Sequence, residues 1–406
     1  MAEQGVDTQA QQYAGVSASQ SGGTFGVWTR RAAVVAMGLA LAACQTVVPK
    51  GPTTTTPTQP TGPVVTPGLP TDTDRHRVAL LVPLSGSNAE VGQSIANATT
   101  MALLDSKSDK VRITTYDTGG DAVAAAQKAI AEGNKLILGP LTSDNVKLVQ
   151  PIAQAARVPI ISFSNDTAVA GNGTYLLGYV PGQSVSRVVK YARGQGMSKF
   201  AAIAPQGAYG ERSLAALRST VAANGGTVVS AESYDRSAAG VQGAIRRLSR
   251  GASYDALLIA DGGSVALQAA PIVRQNASKT AKILGTELWN TESRMAGNKS
   301  LQGAWFASVS DGLYGQMAEK YRARYGKAPY RIASLGYDAV LLTVRMSRNW
   351  KPGTNFPVNN LNVSDGFGGI DGIFKFDKRG IADRALEVSE VRSGGFAVIS
   401  PAATQW

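Results

Sequence analysis

The residue types that most often carry enzymatic or metal chemistry are scarce in this chain. Among 406 residues there is one cysteine, Cys44, and one histidine, His76. A single cysteine forms no internal disulfide, thiolate metal cluster or Cys-x-x-Cys redox centre, and a lone histidine between two arginines is a poor base for a Ser-His-acid triad. Acidic residues are not clustered for an oxygen-only metal site, and Gly366-Phe-Gly-Gly369 lacks phosphate-loop spacing. The chain is therefore predicted not to be an enzyme and to need no metal or cofactor.

Cys44 lies where an exported protein would carry a lipid. Arg30 and Arg31 precede an apolar run over residues 32–43, which is far shorter than the ~20 residues that cross a bilayer and has the order of a secretory signal. Leu41-Ala-Ala-Cys44 resembles the bacterial lipobox, whose cysteine carries diacylglycerol; the alternative is a chance Ala-Ala-Cys in an ordinary signal. The Gln that follows implies outer-membrane sorting. We expect residues 1–43 to be a signal peptide and Cys44 to be lipidated on the periplasmic face of the outer membrane.

The segments that flank the signal core do not have the composition of a folded core. Residues 1–26 are polar, and are either a long n-region or an upstream, mis-assigned start, with translation beginning at Val27. Residues 44–74 are rich in Pro and Thr and cannot bury enough apolar surface to offset the entropy of ordering. Because proline-rich segments extend by ~3.1 Å per residue, residues 44–74 are predicted to be a disordered tether.

The formal net charge of the chain is +12 at pH 7. Its basic residues are scattered and never form a run interleaved with aromatic residues, so the pattern does not indicate nucleic-acid binding. Dispersed positive charge is typical of a solvated surface, and it also suits anionic envelope polymers or lipid head groups. The membrane is expected to be contacted only through the lipid anchor.

From Arg75 onward, short β-branched or Leu-rich runs alternate with amphipathic helical stretches, which is the pattern of βαβ units around a parallel sheet. One series of strands begins at Val78 and ends with residues 159–163, and a second begins at Phe200 and continues to residues 282–284. A single sheet with this many strands would be unusual. We therefore predict two α/β lobes with a cleft between them, where ligands meet the carboxyl ends of strands.

Short motifs follow one another along residues 75–400. They include Val82-Pro-Leu-Ser-Gly86, Leu138-Gly-Pro-Leu-Thr-Ser143, Val158-Pro-Ile-Ile-Ser-Phe-Ser-Asn165, Ala208-Tyr-Gly210, Gly285-Thr-Glu287, Ser334-Leu-Gly-Tyr-Asp-Ala339 and Gly372-Ile-Phe-Lys-Phe-Asp377. In this order they resemble the type 1 periplasmic binding proteins of the leucine/isoleucine/valine-binding group, and within it the penicillin-binding protein activators, which are lipoproteins. The resemblance implies an α/β, two-lobed fold over residues 75–406, in which each lobe is a parallel sheet flanked by helices and a hinge adjoins the ligand cleft.

The same resemblance implies three chain crossings between the lobes, which we expect near Arg193, Asp311 and Gly372. Lobe one would comprise residues 75–192 and 312–372. Lobe two would comprise residues 193–311 and 373–406.

The resemblance also implies a ligand site. In amino-acid-binding relatives, hydroxyl and backbone N–H groups of lobe one hold the ligand carboxylate, and an aromatic and an acidic residue of lobe two close on the ligand and its ammonium. A helix beginning at Ser143 would attract an anion through its free N–H groups and dipole. The matching residues in this chain are Ser85, Leu141, Thr142, Ser143, Ser164 and Asn165 in lobe one, and Tyr209 and Glu287 in lobe two.

Each of these candidates also has a structural alternative. Thr142 is equally suited to cap a helix, Tyr209 to pack the hinge, and Glu287 to lie solvated in a loop. Asp117 is expected to cap its helix rather than contact a ligand, and Asp261 to form a tight turn.

Two functions from different classes follow. The first is a non-catalytic envelope lipoprotein that activates peptidoglycan synthases, the penicillin-binding proteins, with a cleft that is vestigial or senses a muropeptide. The second is a substrate-binding receptor for an amino acid or small peptide-like ligand, with the permease of an ABC uptake system as its partner.

Overall fold

The computed structural model describes residues 74–275 and 279–406. The predicted signal peptide, the lipidation site Cys44 and the tether up to residue 73 lie outside these residues. In the part of the chain that is described, no helix is both long enough and apolar enough to cross a bilayer.

The first part of the described chain builds most of lobe one. Its elements are β1 (His76–Val82), α1 (Ala89–Ser106), β2 (Val111–Asp117), α2 (Ala122–Ala131), β3 (Leu136–Leu138), α3 (Ser143–Ala155), β4 (Ile160–Ser162) and β5 (Thr174–Leu176). The strands form one parallel sheet in the order β2-β1-β3-β4-β5. Residues Val78 to Val82 of the interior strand β1 have no exposed surface, because helices cover both faces of such a sheet.

The chain then builds lobe two. Its elements are α4 (Pro181–Gly194), β6 (Lys199–Pro205), α5 (Ala208–Ala223), β7 (Thr227–Tyr234), α6 (Ala238–Leu248), β8 (Ala256–Ile259), α7 (Gly263–Arg274), β9 (Lys282–Gly285) and β10 (Trp305–Ser308). Val185, Val188 and Val189 of α4 pack with Leu217 of α5 against this sheet. The opposite face is covered by α6 and α7.

The chain next returns to lobe one with α8 (Gly312–Tyr325), α9 (Ala333–Ser347), β11 (Phe367–Gly369), β12 (Gly372–Phe376) and β13 (Ala382–Arg384). Leu335, Ala339 and Leu342 of α9 join the lobe-one core together with Phe374 of β12. Helices α1 and α9 cross closely at Gly336, where a Cβ atom would lie 2.8 Å from the Ile95 carbonyl oxygen. The three strands form a small antiparallel sheet.

Two further strands, β14 (Glu387–Arg392) and β15 (Gly395–Ser400), complete the sheet of lobe two. Its seven strands have the order β15-β14-β10-β9-β8-β6-β7. The pairs β10–β14 and β14–β15 are antiparallel, and the other pairs are parallel. The predicted α/β class and the succession of strands and helices are confirmed. The lobe-one sheet is parallel as predicted, whereas the lobe-two sheet is mixed because β14 and β15 add antiparallel pairs.

The structure places two of the three lobe crossings differently from the sequence prediction. The second passage between the lobes lies between β10 and α8, which begins at Gly312. The first lies at residues 177–181 and not near Arg193, because the apolar face of α4 packs on the lobe-two sheet. The third lies at residues 384–387 and not near Gly372, because the sheet β11–β13 packs on the lobe-one core.

Candidate functional site

A cavity of about 470 Å³ lies between the two lobes. Lobe one contributes residues that follow strands β3 and β4, and lobe two contributes residues from α4, from the turn after β9 and from the end of β10. The polar lining residues include Thr142, Ser143, Ser164, Asn165, Gln183, Ser184, Glu287, Ser308, Arg331 and Arg384. Such a concave space at the carboxyl ends of parallel strands is where α/β proteins bind small ligands.

The lobes also contact each other beside this cavity. A guanidinium N–H of Arg212, from α5 of lobe two, pairs with Asp166 Oδ1 of lobe one at 2.6 Å. Asp166 follows directly on the cavity-lining pair Ser164 and Asn165. The ion pair therefore holds the two walls of the cleft together.

The lobe-one wall contains five of the residues predicted from the sequence, namely Leu141, Thr142, Ser143, Ser164 and Asn165. Thr142 is the residue before α3, with an extended backbone, and its Oγ1 accepts a long hydrogen bond of 3.4 Å from the N–H of Asn145. The first turn of α3 thus lies at the cavity wall, where its N–H groups and dipole favour an anion.

Glu287 lies on the opposite wall, in a short 3-10 turn after β9. Its carboxylate accepts a short hydrogen bond from the hydroxyl of Ser184, and the hydroxyl of Tyr209 lies 3.1 Å from Glu287 Oε1. Burial raises the pKa of Glu287, and the hydrogen bonds from Ser184 and Tyr209 oppose that rise. A held carboxylate that faces a largely apolar cavity suits a cationic ligand group.

Tyr209 supports this carboxylate from outside the cavity lining. Its hydroxyl lies 2.9 Å from Thr286 Oγ1 and can donate either there or to Glu287. Burial, followed by the charge of Glu287, raises the pKa of Tyr209, so the residue is a neutral donor. The structure brings Tyr209 into contact with Glu287, and Tyr209 is not among the residues that line the cavity.

The turn that carries Glu287 is fixed by Gly285 and Trp289. The Trp289 ring is completely buried and its indole N–H donates to the carbonyl oxygen of Asp261 at 2.9 Å. A Cβ atom on Gly285 would lie 2.2 Å from this ring, so only glycine fits at this position. Asp261 serves this arrangement, since its carboxylate accepts a hydrogen bond from the Tyr234 hydroxyl at 2.9 Å. The tight-turn interpretation of Asp261 describes its surroundings better than a cleft role.

Ser85 does not lie with the other candidates. It lines a separate surface depression next to Asp117, whose Oδ1 accepts hydrogen bonds of 2.7 Å from the N–H groups of Leu84 and Gly119. Asp117 thus closes the turn after β1, and the helix cap of α2 is instead Asp121. Ser85 is therefore not among the residues that line the interlobe cavity.

A buried polar network at the base of the cleft was not predicted from the sequence. Asp371 is completely buried and accepts hydrogen bonds from Tyr179 Oη at 2.6 Å, Ser334 Oγ at 2.8 Å and Arg331 Nη1 at 2.7 Å. Burial alone would raise the pKa of Asp371, but the guanidinium groups of Arg331 and Arg384 lower it below the ordinary value.

This network joins all three lobe crossings. Tyr179 belongs to the first crossing, Asp311 to the second and Arg384 to the third. Arg331 pairs with Asp311 at 3.2 Å, and Arg384 Nη2 donates to the carbonyl oxygen of Leu177 at 2.8 Å. The motif around Ser334 pointed to a structured segment, but nothing in the sequence indicated that charges would gather there.

Comparison with known proteins gives the same fold. A family model described as "Periplasmic binding protein" matches residues 76–394. The uncharacterized protein RP748 of Rickettsia prowazekii is 28% identical over 177 residues, which cover 43% of this chain and 47% of that protein. Penicillin-binding protein activator LpoA of Vibrio cholerae is 27% identical over 140 residues, which cover 33% of this chain and 23% of the activator. These matches span less than half the length of either relative.

Two solved structures illustrate the range of similar folds. A putative branched-chain amino acid ABC transporter protein from Rhodospirillum rubrum has a TM-score of 0.68 at 22% identity, and the match covers 80% of this chain and 100% of that one. The C-domain of LpoA from Haemophilus influenzae, a regulator of PBP1A, has a TM-score of 0.63 at 17% identity, with coverage of 80% and 99%. At these identities the likeness concerns the fold alone. Because the family model covers most of the chain, this protein belongs to the periplasmic binding protein family.

Proposed function

We propose that this chain is an envelope lipoprotein whose binding-protein domain activates peptidoglycan synthases without catalysing a reaction itself. The observation that carries the proposal is the sequence match to penicillin-binding protein activator LpoA over 140 residues. The fold shared with the C-domain of a regulator of PBP1A is consistent with it. The partner would be a penicillin-binding protein, reached from the periplasmic face of the outer membrane.

The anchoring part of the proposal concerns Cys44 and the Pro/Thr-rich segment after it. A lipid on Cys44 would hold the domain at the membrane, and several acyl chains on one residue give stable anchoring. Cys44→Ser is expected to abolish incorporation of labelled palmitate and to release the protein into the soluble periplasmic fraction. Since Cys44 is the only thiol in the chain, label that persists in the variant would contradict the assignment.

The activator role is tested by adding the purified mature chain to a peptidoglycan synthase of the same bacterium and measuring glycan polymerisation and cross-linking. Stimulation and co-purification of the synthase are expected. The matched variant carries Glu287→Ala with Ser143→Ala, which changes both walls of the cleft and leaves the outer surface intact. An activator that works by surface contact retains its stimulation in this variant, whereas absence of stimulation by the unmodified chain overturns the role.

A second candidate function is favoured by the interlobe cavity, which has an anion-attracting helix end on one wall and a held carboxylate on the other. Under this alternative the chain is the receptor of an ABC uptake system for an amino acid or small peptide-like ligand. A ligand present at 100 times its Kd would stabilise the folded chain by about 2.7 kcal/mol, which a thermal-shift screen detects. The double variant described above is expected to lose that shift.

A further inference from the structure

Arg384 is an unusually placed arginine for a binding cleft. Its side chain is only 1% exposed, yet it lines the interlobe cavity. The guanidinium lies near the rings of Tyr179 and Phe374, at 5.3 Å and 5.1 Å from their centroids. Aromatic contacts of this kind hold the plane of the group in place but satisfy none of its N–H donors.

The donors of Arg384 are largely unpaired. Nη2 donates to the Leu177 carbonyl oxygen at 2.8 Å, but Nε and Nη1 make no hydrogen bond to any residue between 74 and 406 that the structure describes. Nη1 lies 3.5 Å from Asp338 Oδ2, which is an ion-pair distance beyond good hydrogen-bond length. A buried charged donor without a partner is strongly unfavourable, so an acceptor is expected to enter from the cavity.

The neighbouring acids Asp338 and Asp371 compensate this charge only in part. Asp338 Oδ1 accepts a 2.7 Å hydrogen bond from the N–H of Ile370, and burial followed by the charge of Asp371 raises the pKa of Asp338 to about 7. The charged form of Asp338 is therefore less favoured than that of an exposed aspartate. Asp371 is engaged by Arg331, Tyr179 and Ser334.

Arg331 adds to the positive character of the same wall. It lines the cavity, its side chain is 13% exposed, and its Nε has no hydrogen-bond partner in the described ranges. Its other nitrogens face Asp371 at 2.7 Å and Asp311 at 3.2 Å. Two guanidinium groups thus border the lobe-one side of the cavity, in addition to the N-terminus of α3.

We propose that Arg331 and Arg384 form a second anion subsite, so that the cleft takes an acidic amino acid or a short peptide with an acidic side chain. One carboxylate would lie at the first turn of α3, the ammonium at Glu287 and the second carboxylate at the two arginines. The cavity volume of about 470 Å³ accommodates a ligand of this size. Apolar lining residues such as Phe163 and Leu386 suit its methylene groups. This inference rests on the second candidate function, a ligand in the cleft, and not on contact with a synthase.

Calorimetric titration of the mature chain tests the subsite with probes that differ in one charge. The probes are racemic glutamate against glutamine, the dipeptide alanyl-glutamate against alanyl-glutamine, and leucine. The acidic member of at least one pair is expected to bind at least tenfold more tightly than its amide and than leucine. Equal or tighter binding of the amides or of leucine overturns the subsite and leaves the receptor function in place.

Variants locate the effect. Arg384→Met keeps most of the side-chain volume and is expected to lower the affinity for the acidic probe at least tenfold without changing that for the amide. The matched control is Arg274→Met, since Arg274 is a half-buried arginine of lobe two that donates to the carbonyl oxygens of Ser300 and Ala281, and neither it nor these partners line the cavity. If Arg384→Met does not fold, as judged by circular dichroism, the probe pairs with the unmodified chain decide the question.

The outcome also separates the two proposed functions. No heat with any of the five probes overturns both the anion subsite and the receptor alternative, while stimulation of a synthase in the separate assay would remain. Loss of affinity in Arg274→Met equal to that in Arg384→Met would mean that Arg384 acts through stability, which overturns the assignment to the cavity.

Discussion

Removal of Asp371 is expected to destabilise the domain strongly. Its carboxylate is completely buried and accepts hydrogen bonds from Tyr179, Ser334 and Arg331. In Asp371→Ala, the guanidinium of Arg331, whose side chain is 13% exposed, loses its closest counter-charge. Breaking a buried ion pair by removing one partner costs about 3–5 kcal/mol, and we expect a loss in this range for the free energy of unfolding.

Urea titration at pH 7.5, followed by tryptophan fluorescence, measures this loss. The matched control is Arg379→Ala, because Arg379 is 73% exposed and pairs with Asp377 at 3.1 Å on the surface. Exposed pairs of this kind contribute about 0–1 kcal/mol. A free energy of unfolding for Asp371→Ala within about 1 kcal/mol of the control would refute the reasoning that the network is a buried, mutually dependent unit.

A second variant checks the physical cause. Arg331→Met combined with Asp371→Leu removes both charges and fills their space with apolar groups, a change that is often neutral or stabilising for buried pairs. The double variant is therefore expected to be more stable than Asp371→Ala alone. If it is less stable, the loss in the single variant does not arise from an uncompensated charge.

Three other results are expected. Gly285→Ala should lower the free energy of unfolding by about 3 kcal/mol in the same urea assay, because its Cβ would lie 2.2 Å from the buried Trp289 ring; a neutral result would mean that this turn rearranges freely. The raised pKa of Asp338, about 7 against about 4 when unfolded, means that its contribution to stability decreases as the pH rises from about 4 to 7. Asp338→Asn should flatten that part of the thermal-unfolding profile, and an unchanged slope would assign it to other groups. Asp121→Ala should cost about 1 kcal/mol and Thr142→Ala about 0.5 kcal/mol, since Asp121 caps with bonds of 2.9 and 3.0 Å and Thr142 with one of 3.4 Å; the reverse order would show that Thr142 is chiefly a structural cap.

The lobe boundaries are a part of the fold that the sequence alone did not predict correctly. The amphipathic pattern of α4 indicates that one of its faces is buried, but it carries no information about which sheet buries that face. Helix α4 was therefore assigned to lobe one, while in the structure Val185, Val188 and Val189 pack in lobe two. The same holds for β11–β13, whose aromatic residues could have packed on either lobe and pack on lobe one.

The candidate site was predictable where it depends on strand ends. Parallel strands of one sheet end at the same edge, and the predicted cleft brings the strand ends of two sheets together. Residues after β3 and β4 of lobe one and after β9 of lobe two were therefore expected to meet, and Thr142, Ser164 and Glu287 do line one cavity. The same reasoning was insufficient for Ser85, since the turn after β1 lies apart. It was also insufficient for Tyr209, which contacts Glu287 from outside the lining.

The amino-acid sequence by itself determined the fold class. The alternation of β-branched runs and amphipathic helices can be recognised from short stretches of sequence, without knowledge of which distant residues are in contact. The sequence also indicated that Thr142, Ser164 and Glu287, which follow strand ends, would lie near one another. The tertiary structure alone decided the electrostatics of the cleft. Arg331, Asp338, Asp371 and Arg384 are spread over more than fifty positions and resemble ordinary surface charges in the sequence, but the packing of the small sheet onto lobe one removes them from solvent. Burial is a property of the assembled fold, and it converts these dispersed charges into a single network at the base of the cavity.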